Sequence, residues 1–251
     1  MDNIAIQADK LTRKFGKVIA VDGISFSLPY GSIFGCLGAN GSGKSTTIRM
    51  LCGILAPTSG TGRVAGFDVQ TQPEQIKTAI GYVSQRFSLY EDLTVTENLS
   101  FFGEIYGLSH HALKDRIEEI LKLSGLHEYR DRLAGHLSGG WKQKLAIANG
   151  ILHKPRILFL DEPTAGIDPL SRRAIWALLF GLAQEGTALF ITTHYMEEAQ
   201  RCNTIAFISH GHVLKIGTPN EFKQIAPSLE EAFAVLESQA SPLAGQGGKL
   251  A

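Results

Sequence analysis

The chain has 251 residues, 44% of them hydrophobic and 19% charged, which is ample for one large buried core or two small ones. Lys plus Arg and Asp plus Glu each number 24, so the formal net charge is zero; with no block of like charge, a general electrostatic attraction to DNA or RNA is excluded. Cys36, Cys52 and Cys202 are far apart, without metal or redox spacing, and read as small reduced apolar residues.

In chain order, Met1-Asp2-Asn3 lacks the basic-then-apolar pattern of a signal peptide. Ile33 to Leu37 is a buried strand, and a helix is expected to start near Lys44. Ile80 to Ser84 is a further strand. From about Thr94 to Lys154 the period turns helical, over Thr96 to Tyr106, Ala112 to Leu123 and Ser138 to Leu152, which suggests a helical insert. Ile157 to Leu160, Ala188 to Thr192 and Ile205 to Ser209 are short apolar strands. Gly211-His212 is expected as a hairpin turn into Val213 to Ile216. Strands apolar on both faces belong to a parallel sheet covered by helices, so the class is α/β. The longest apolar run, Ala174 to Ala183, is ten residues, too short to cross a bilayer. Any work at a membrane would then be done by docking. An amphipathic helix is expected over Leu229 to Leu236. Ser241 to Gly248 should be flexible, and Lys249-Leu250-Ala251 has the look of a cloning scar.

Gly38-Ala39-Asn40-Gly41-Ser42-Gly43-Lys44-Ser45 fits the phosphate-loop pattern in full, between a strand and a helix. The glycines let successive N–H groups turn inward onto phosphate oxygens. Lys44 adds a positive charge for the β- and γ-phosphates, and Ser45 offers a hydroxyl to Mg²⁺. Lys44 is expected at the site rather than in the core, so its loss should spare the fold. The strand Ile157 to Leu160 ends in Asp161 and Glu162. At the carboxyl end of a sheet strand, Asp161 can face Mg²⁺, and Glu162 can take a proton from an attacking water.

Leu137-Ser138-Gly139-Gly140-Trp141-Lys142-Gln143 is similar to the signature motif of the ATP-binding-cassette (ABC) transporter family, and the other family motifs follow in order. The resemblance runs over roughly residues 3 to 225. It implies a P-loop NTPase (RecA-like) core with a mostly parallel sheet, an N-terminal antiparallel β subdomain and a helical subdomain at about 88–154. Residues 226–251 are left as a short helix and tail. It also implies that Phe15 stacks on adenine and that residues 38 to 46, through Thr46, hold the nucleotide. Gln85 would touch Mg²⁺ with Ser45 and Asp161, Asp168 would lie at the dimer seam, and His194 would contact the γ-phosphate. Ser138, Gly139 and Gly140 would complete the partner's site, with Glu162, His194 and Lys44 as the catalytic set. The implied cofactors are ATP and Mg²⁺, and nucleic acid is not among the implied partners. Those are a second cassette, identical or homologous, and a separate transmembrane permease, with this chain peripheral at the cytoplasmic face of the inner (cell) membrane.

Two residues depart from the usual pattern: Trp141 stands where Gln is common, and Phe15 where Tyr is. Stacking needs only a π-face, so Phe15 suffices. Trp141 could face the seam or turn back into its own subdomain. The Trp141 variant and the run from Leu89 to Leu99 resemble bacterial drug- and polyketide-export ATPases of the daunorubicin-resistance type. Phe87, Leu89, Tyr90, Phe101, Phe102, Ile105 and Tyr106 could be subdomain core or a docking patch for the membrane partner.

Overall fold

Residues 3–240 are described by a computed structural model. The strands are β1 (Ile4–Phe15), β2 (Val18–Pro29), β3 (Ile33–Leu37), β4 (Ser59–Val64), β5 (Phe67–Asp68), β6 (Ile80–Val83), β7 (Ile157–Asp161), β8 (Ala188–Thr193), β9 (Thr204–Ser209) and β10 (His212–Gly217). The helices are α1 (Lys44–Leu51), α2 (Pro73–Ala79), α3 (Val95–Ile105), α4 (His110–Ser124), α5 (Gly139–Gly150), α6 (Pro169–Gln184), α7 (Met196–Ala199), α8 (Pro219–Lys223) and α9 (Leu229–Ala240).

Every residue of β3, β7 and β8 is buried, as the apolar runs require. These strands lie parallel in the order β9-β3-β8-β7-β6, with helices on both faces. In β2, by contrast, Ile24, Phe26 and Leu28 are buried while Ser25 and Ser27 are exposed. That period of two belongs to a sheet with one wet face, and β5-β4-β1-β2 pair antiparallel. The two halves join where β10 meets β2 at His212 and Asp22. Alternation along the central strands splits the core. Leu158, Leu160, Leu189 and Ile191 pack under α3 to α9, whereas Ile157, Phe159, Ala188 and Phe190 face α1, α2 and the antiparallel half. Stacked rings of Phe26, Phe34 and Phe190, 4.6 and 5.2 Å apart in turn, bind that half to the parallel core.

The helical insert is α3, α4 and α5. Its first helix is fixed by a capping box between Thr94 and Glu97. The expected helix starts fall within two residues of the observed ones, the usual fraying of such boundaries. The β9–β10 turn is made by His210 and Gly211, one residue earlier than expected, and both adopt positive φ. Cys36, Cys52 and Cys202 are free and buried, and burial pushes the Cys36 thiol up to about 12. The last helix runs four residues past Leu236. It buries Leu229 and Ala232 and sets Phe233 edge-on against Phe207 at 5.2 Å. Ser241 to Ala251, where a flexible tail and a cloning scar are expected, lie outside the described residues.

Candidate nucleotide site

The phosphate loop leaves β3 at Leu37 and enters α1 at Lys44. It packs so closely that only glycine fits at two points. A Cβ on Gly38 would stand 2.2 Å from the Ile208 carbonyl oxygen, and one on Gly43, at φ 108°, 2.5 Å from that of Ala20. The loop is thereby wedged between the ends of β9 and β2, with its backbone bent around an open cleft. That cleft, of about 320 Å³, is lined by Asn40, Gly41, Lys44, Ser45, Thr46, Gln85 and Glu162 among others.

Lys44 is only 4% exposed. Its ammonium donates to the Gly38 and Ala39 carbonyls at 2.8 and 3.0 Å and pairs with Glu162 Oε1 at 3.2 Å. Lys44 lines the cleft, as a site residue would, but its ammonium is also a buried, paired charge, so its loss is not expected to spare the fold entirely. Ser45 Oγ donates to Asp161 Oδ1 at 3.1 Å, across a separation of 116 residues. Thr192 Oγ1 donates to the same oxygen at 2.6 Å.

Glu162 is the hub. It follows the last residue of β7 and sits at φ 49°, a left-handed conformation costly for a side chain with Cβ. Its N–H donates to Thr192 Oγ1 at 2.9 Å and to the Thr192 carbonyl at 3.2 Å, which hold it there. On the acid itself, Oε2 accepts from His194 Nδ1 at 3.0 Å and from Gln85 Nε2 at 3.5 Å. Glu162 thus meets Lys44, Gln85 and His194, from α1, the loop after β6 and the end of β8. Thr192 bonds both acidic residues and was not singled out in the sequence; its one signal is its place in the Thr-Thr-His end of β8.

Other expected site residues lie elsewhere. Phe15 ends β1, 47% exposed, with the Arg13 guanidinium 4.6 Å from its ring centre, so one face is backed by a cation. Ser138 precedes α5, which Gly139 and Gly140 open, and no hydrogen bond among the described residues ties them to the phosphate loop. Gly140 instead abuts Ser171 and Asp168: a Cβ there would lie 2.4 Å from Ser171 Oγ. Asp168 caps α6 by accepting the Ser171 N–H at 2.9 Å, and hydrogen bonds from Ser171 lower its pKa. Trp141 turns into its own subdomain. Its ring lies 4.3 Å from that of Tyr129, with Lys144 Nζ 4.1 Å above it. Of the residues expected as subdomain core or docking patch, Phe87, Tyr90, Phe101 and Ile105 are exposed, whereas Leu89, Phe102 and Tyr106 pack partly on the subdomain core.

The profile of the family described as "ABC transporter" matches residues 21–165. The chain belongs to the ABC transporter family. This cassette is 42% identical over 238 residues to the probable multidrug ABC transporter ATP-binding protein YbhF of Escherichia coli (strain K12), covering 92% of the cassette and 41% of that protein. It is 43% identical over 220 residues to the daunorubicin/doxorubicin resistance ATP-binding protein DrrA of Streptomyces peucetius, covering 87% of the cassette and 67% of DrrA. Among solved structures it resembles the dimeric, post-hydrolysis ATP-binding cassette MJ0796 bound to ADP and Pi. There the TM-score is 0.76 at 25% identity, over 85% of this cassette and 98% of that chain. Fold and family are therefore those of an ABC-type ATP-binding cassette. No described helix is long and apolar enough to cross a membrane.

Proposed function

We propose that this cassette binds Mg-ATP between two chains, hydrolyses it, and thereby drives export of a drug-like or lipophilic compound through a separate transmembrane partner at the cytoplasmic face of the cell membrane. Residues 3–225 form the nucleotide-binding domain in this reading. The observation that carries it is the meeting of Lys44, Gln85 and His194 on Glu162, beside the Ser45–Asp161 pair.

The residues fit both ATP and Mg²⁺. The glycine-only cradle leaves backbone N–H groups and an ammonium for phosphate, and the cleft is within the usual range of ligand sites. Ser45, Asp161 and Gln85 supply the hard oxygens that Mg²⁺ prefers. No cluster of three His, Cys, Asp or Glu among the described residues could hold a metal by itself. The ion would therefore come with phosphate oxygens, as Mg²⁺ commonly does. When bound, Mg²⁺ spreads the charge of the β- and γ-phosphates.

The chain's own groups do the rest. Lys44, released from Glu162 by a phosphate, would hold the anion and leave the carboxylate free. Glu162, fixed by the two bonds to Thr192, would then orient and deprotonate water. His194, already 3.0 Å from Glu162, would hold the γ-phosphate at that spacing. Ser138 to Gly140, at the start of α5, do not line this cleft, which suits donation to the nucleotide of a second chain, identical or homologous. Phe15 would stack on adenine through its free face. The exposed Phe87, Tyr90, Phe101 and Ile105 are suited to receive the membrane partner. Similarity to a probable multidrug cassette and to a drug-resistance cassette supports an export role.

Glu162→Gln tests the chemistry. It should still bind Mg-ATP and accumulate as an ATP-bound dimer, with turnover lowered by about 10²–10⁴. Wild-type turnover in this variant would overturn the assigned base. For the membrane role, the cassette should appear in washed membranes only when a multi-span partner is co-expressed.

A further inference from the structure

Glu198 on α7 is a carboxylate only 1% exposed, and nothing in the proposed hydrolysis uses it. A buried charge is costly unless it is paired and hydrogen-bonded, and this one is engaged on both oxygens. Oε1 accepts a short hydrogen bond from Thr164 Oγ1 and lies 3.5 Å from Arg172 Nε. Oε2 accepts from Thr193 Oγ1 at 2.7 Å. Both threonines are themselves 1% exposed.

The positions of these partners give the carboxylate its interest. Thr164 comes two residues after Glu162, and Thr193 comes immediately before His194. Thr193 Oγ1 also accepts the Tyr195 N–H at 3.0 Å, so the turn presenting His194 is pinned on both sides. Arg172 reaches the same place from α6, and its guanidinium lies 4.4 Å from the Tyr195 ring centre. The cap of that helix is Asp168, and its Ser171 abuts Gly140. A carboxylate can only accept, so it fixes both hydroxyl rotors at once. From behind the site, one side chain therefore ties the segment after Glu162, the turn bearing His194, and the helix touching the signature glycines.

We propose that Glu198 is a positioning residue that holds Glu162 and His194 at their working spacing and links that spacing to α6. The proposal rests on the hydrolytic reading above. Glu198 does not touch the nucleotide; it acts through Thr164 and Thr193. Misplacement of a reacting group by about 1 Å can cost about 10²-fold in rate.

The test is a cycle of Glu198→Gln and Thr193→Val, each in wild-type and His194→Ala backgrounds. Turnover, KM for Mg-ATP and thermal melting are measured for all. Thr193→Val is nearly isosteric and cuts the His194 branch, with its bonds to Glu198 and the Tyr195 N–H, while leaving Thr164 on Glu198, so it decides the matter if Glu198→Gln does not fold. Both variants should lose about 10–10²-fold in kcat with KM unchanged; in the His194→Ala background Thr193→Val should lose nothing more, whereas Glu198→Gln should keep only the part of its loss that runs through Thr164 to Glu162. Three results would overturn the proposal while leaving the hydrolytic reading intact: wild-type kcat, a loss carried by KM, or the same loss for Thr193→Val in both backgrounds. Wild-type turnover by His194→Ala would instead remove the role assigned to His194, and this proposal with it.

Discussion

Replacing Lys44 with alanine should destabilise the nucleotide-free protein as well as abolish ATP binding. The structure gives the size. The ammonium donates to two carbonyls and pairs with Glu162 at 3.2 Å, with both side chains under a tenth exposed. Removing one partner of a buried ion pair costs about 3–5 kcal/mol, mostly because the other charge is left unpaired. Here Glu162 keeps His194 at 3.0 Å and Gln85 at 3.5 Å, and the site opens to a cleft, so the lower end applies, about 3 kcal/mol. For a chain of this size that is a fall in melting temperature of about 6–12 °C. Lys44→Ala combined with Glu162→Gln should lose less than the sum of the two, because no unpaired carboxylate remains. Thermal or urea melting of the four nucleotide-free proteins measures this directly. If Lys44→Ala melts with wild type, or the double variant is simply additive, the ion pair is not the stabilising contact inferred.

Three further outcomes are expected. Ser138→Arg should block turnover while leaving ATP binding to its own loop nearly intact, and mixing it with Lys44→Ala chains should restore at most one working site per dimer; full activity of Ser138→Arg alone would show that no shared site is needed. In a Trp176→Phe, Glu162→Gln background, Trp141 emission should stay unchanged as Mg-ATP drives dimerisation followed by size-exclusion chromatography, because its ring is held against Tyr129 and Lys144; a blue shift on dimer formation would place it at the seam. Burial lowers the pKa of His153 below its ordinary 6.5, with the nearby Arg116 charge adding and the Ile80 carbonyl contact opposing. The folded chain then binds fewer protons than the unfolded one, so this contribution is complete above about pH 6.5 and lost as pH falls through the folded value. Urea melts across that window should show the slope, and His153→Gln should flatten it.

Much of the site was legible in the sequence because its parts are local. Eight consecutive residues from Gly38 to Ser45 specify a loop whose backbone must curl, and the structure finds no room for a Cβ at Gly38 or Gly43. An apolar strand ending in Asp161 and Glu162 specifies acids at a sheet edge in the same way, since strand alternation and chain direction place them there. Alternation likewise separated the continuous apolar runs of the parallel core from the helical middle.

Tertiary structure alone decided which of these parts touch. Ser45 meets Asp161 across 116 residues only because β3 and β7 both flank β8 in the sheet, a strand order that no local pattern encodes. The same order makes Thr192 of β8 the support of Asp161 and Glu162, and brings Glu198 behind both Thr164 and Thr193. It also decided what the sequence left open or put otherwise. Lys44 is as much a buried ion-pair partner as a site residue, and Trp141 faces its own subdomain. Composition and period state what a segment needs to bury. Against which neighbour it does so is set by how the whole sheet stacks, since apolar burial has no direction of its own.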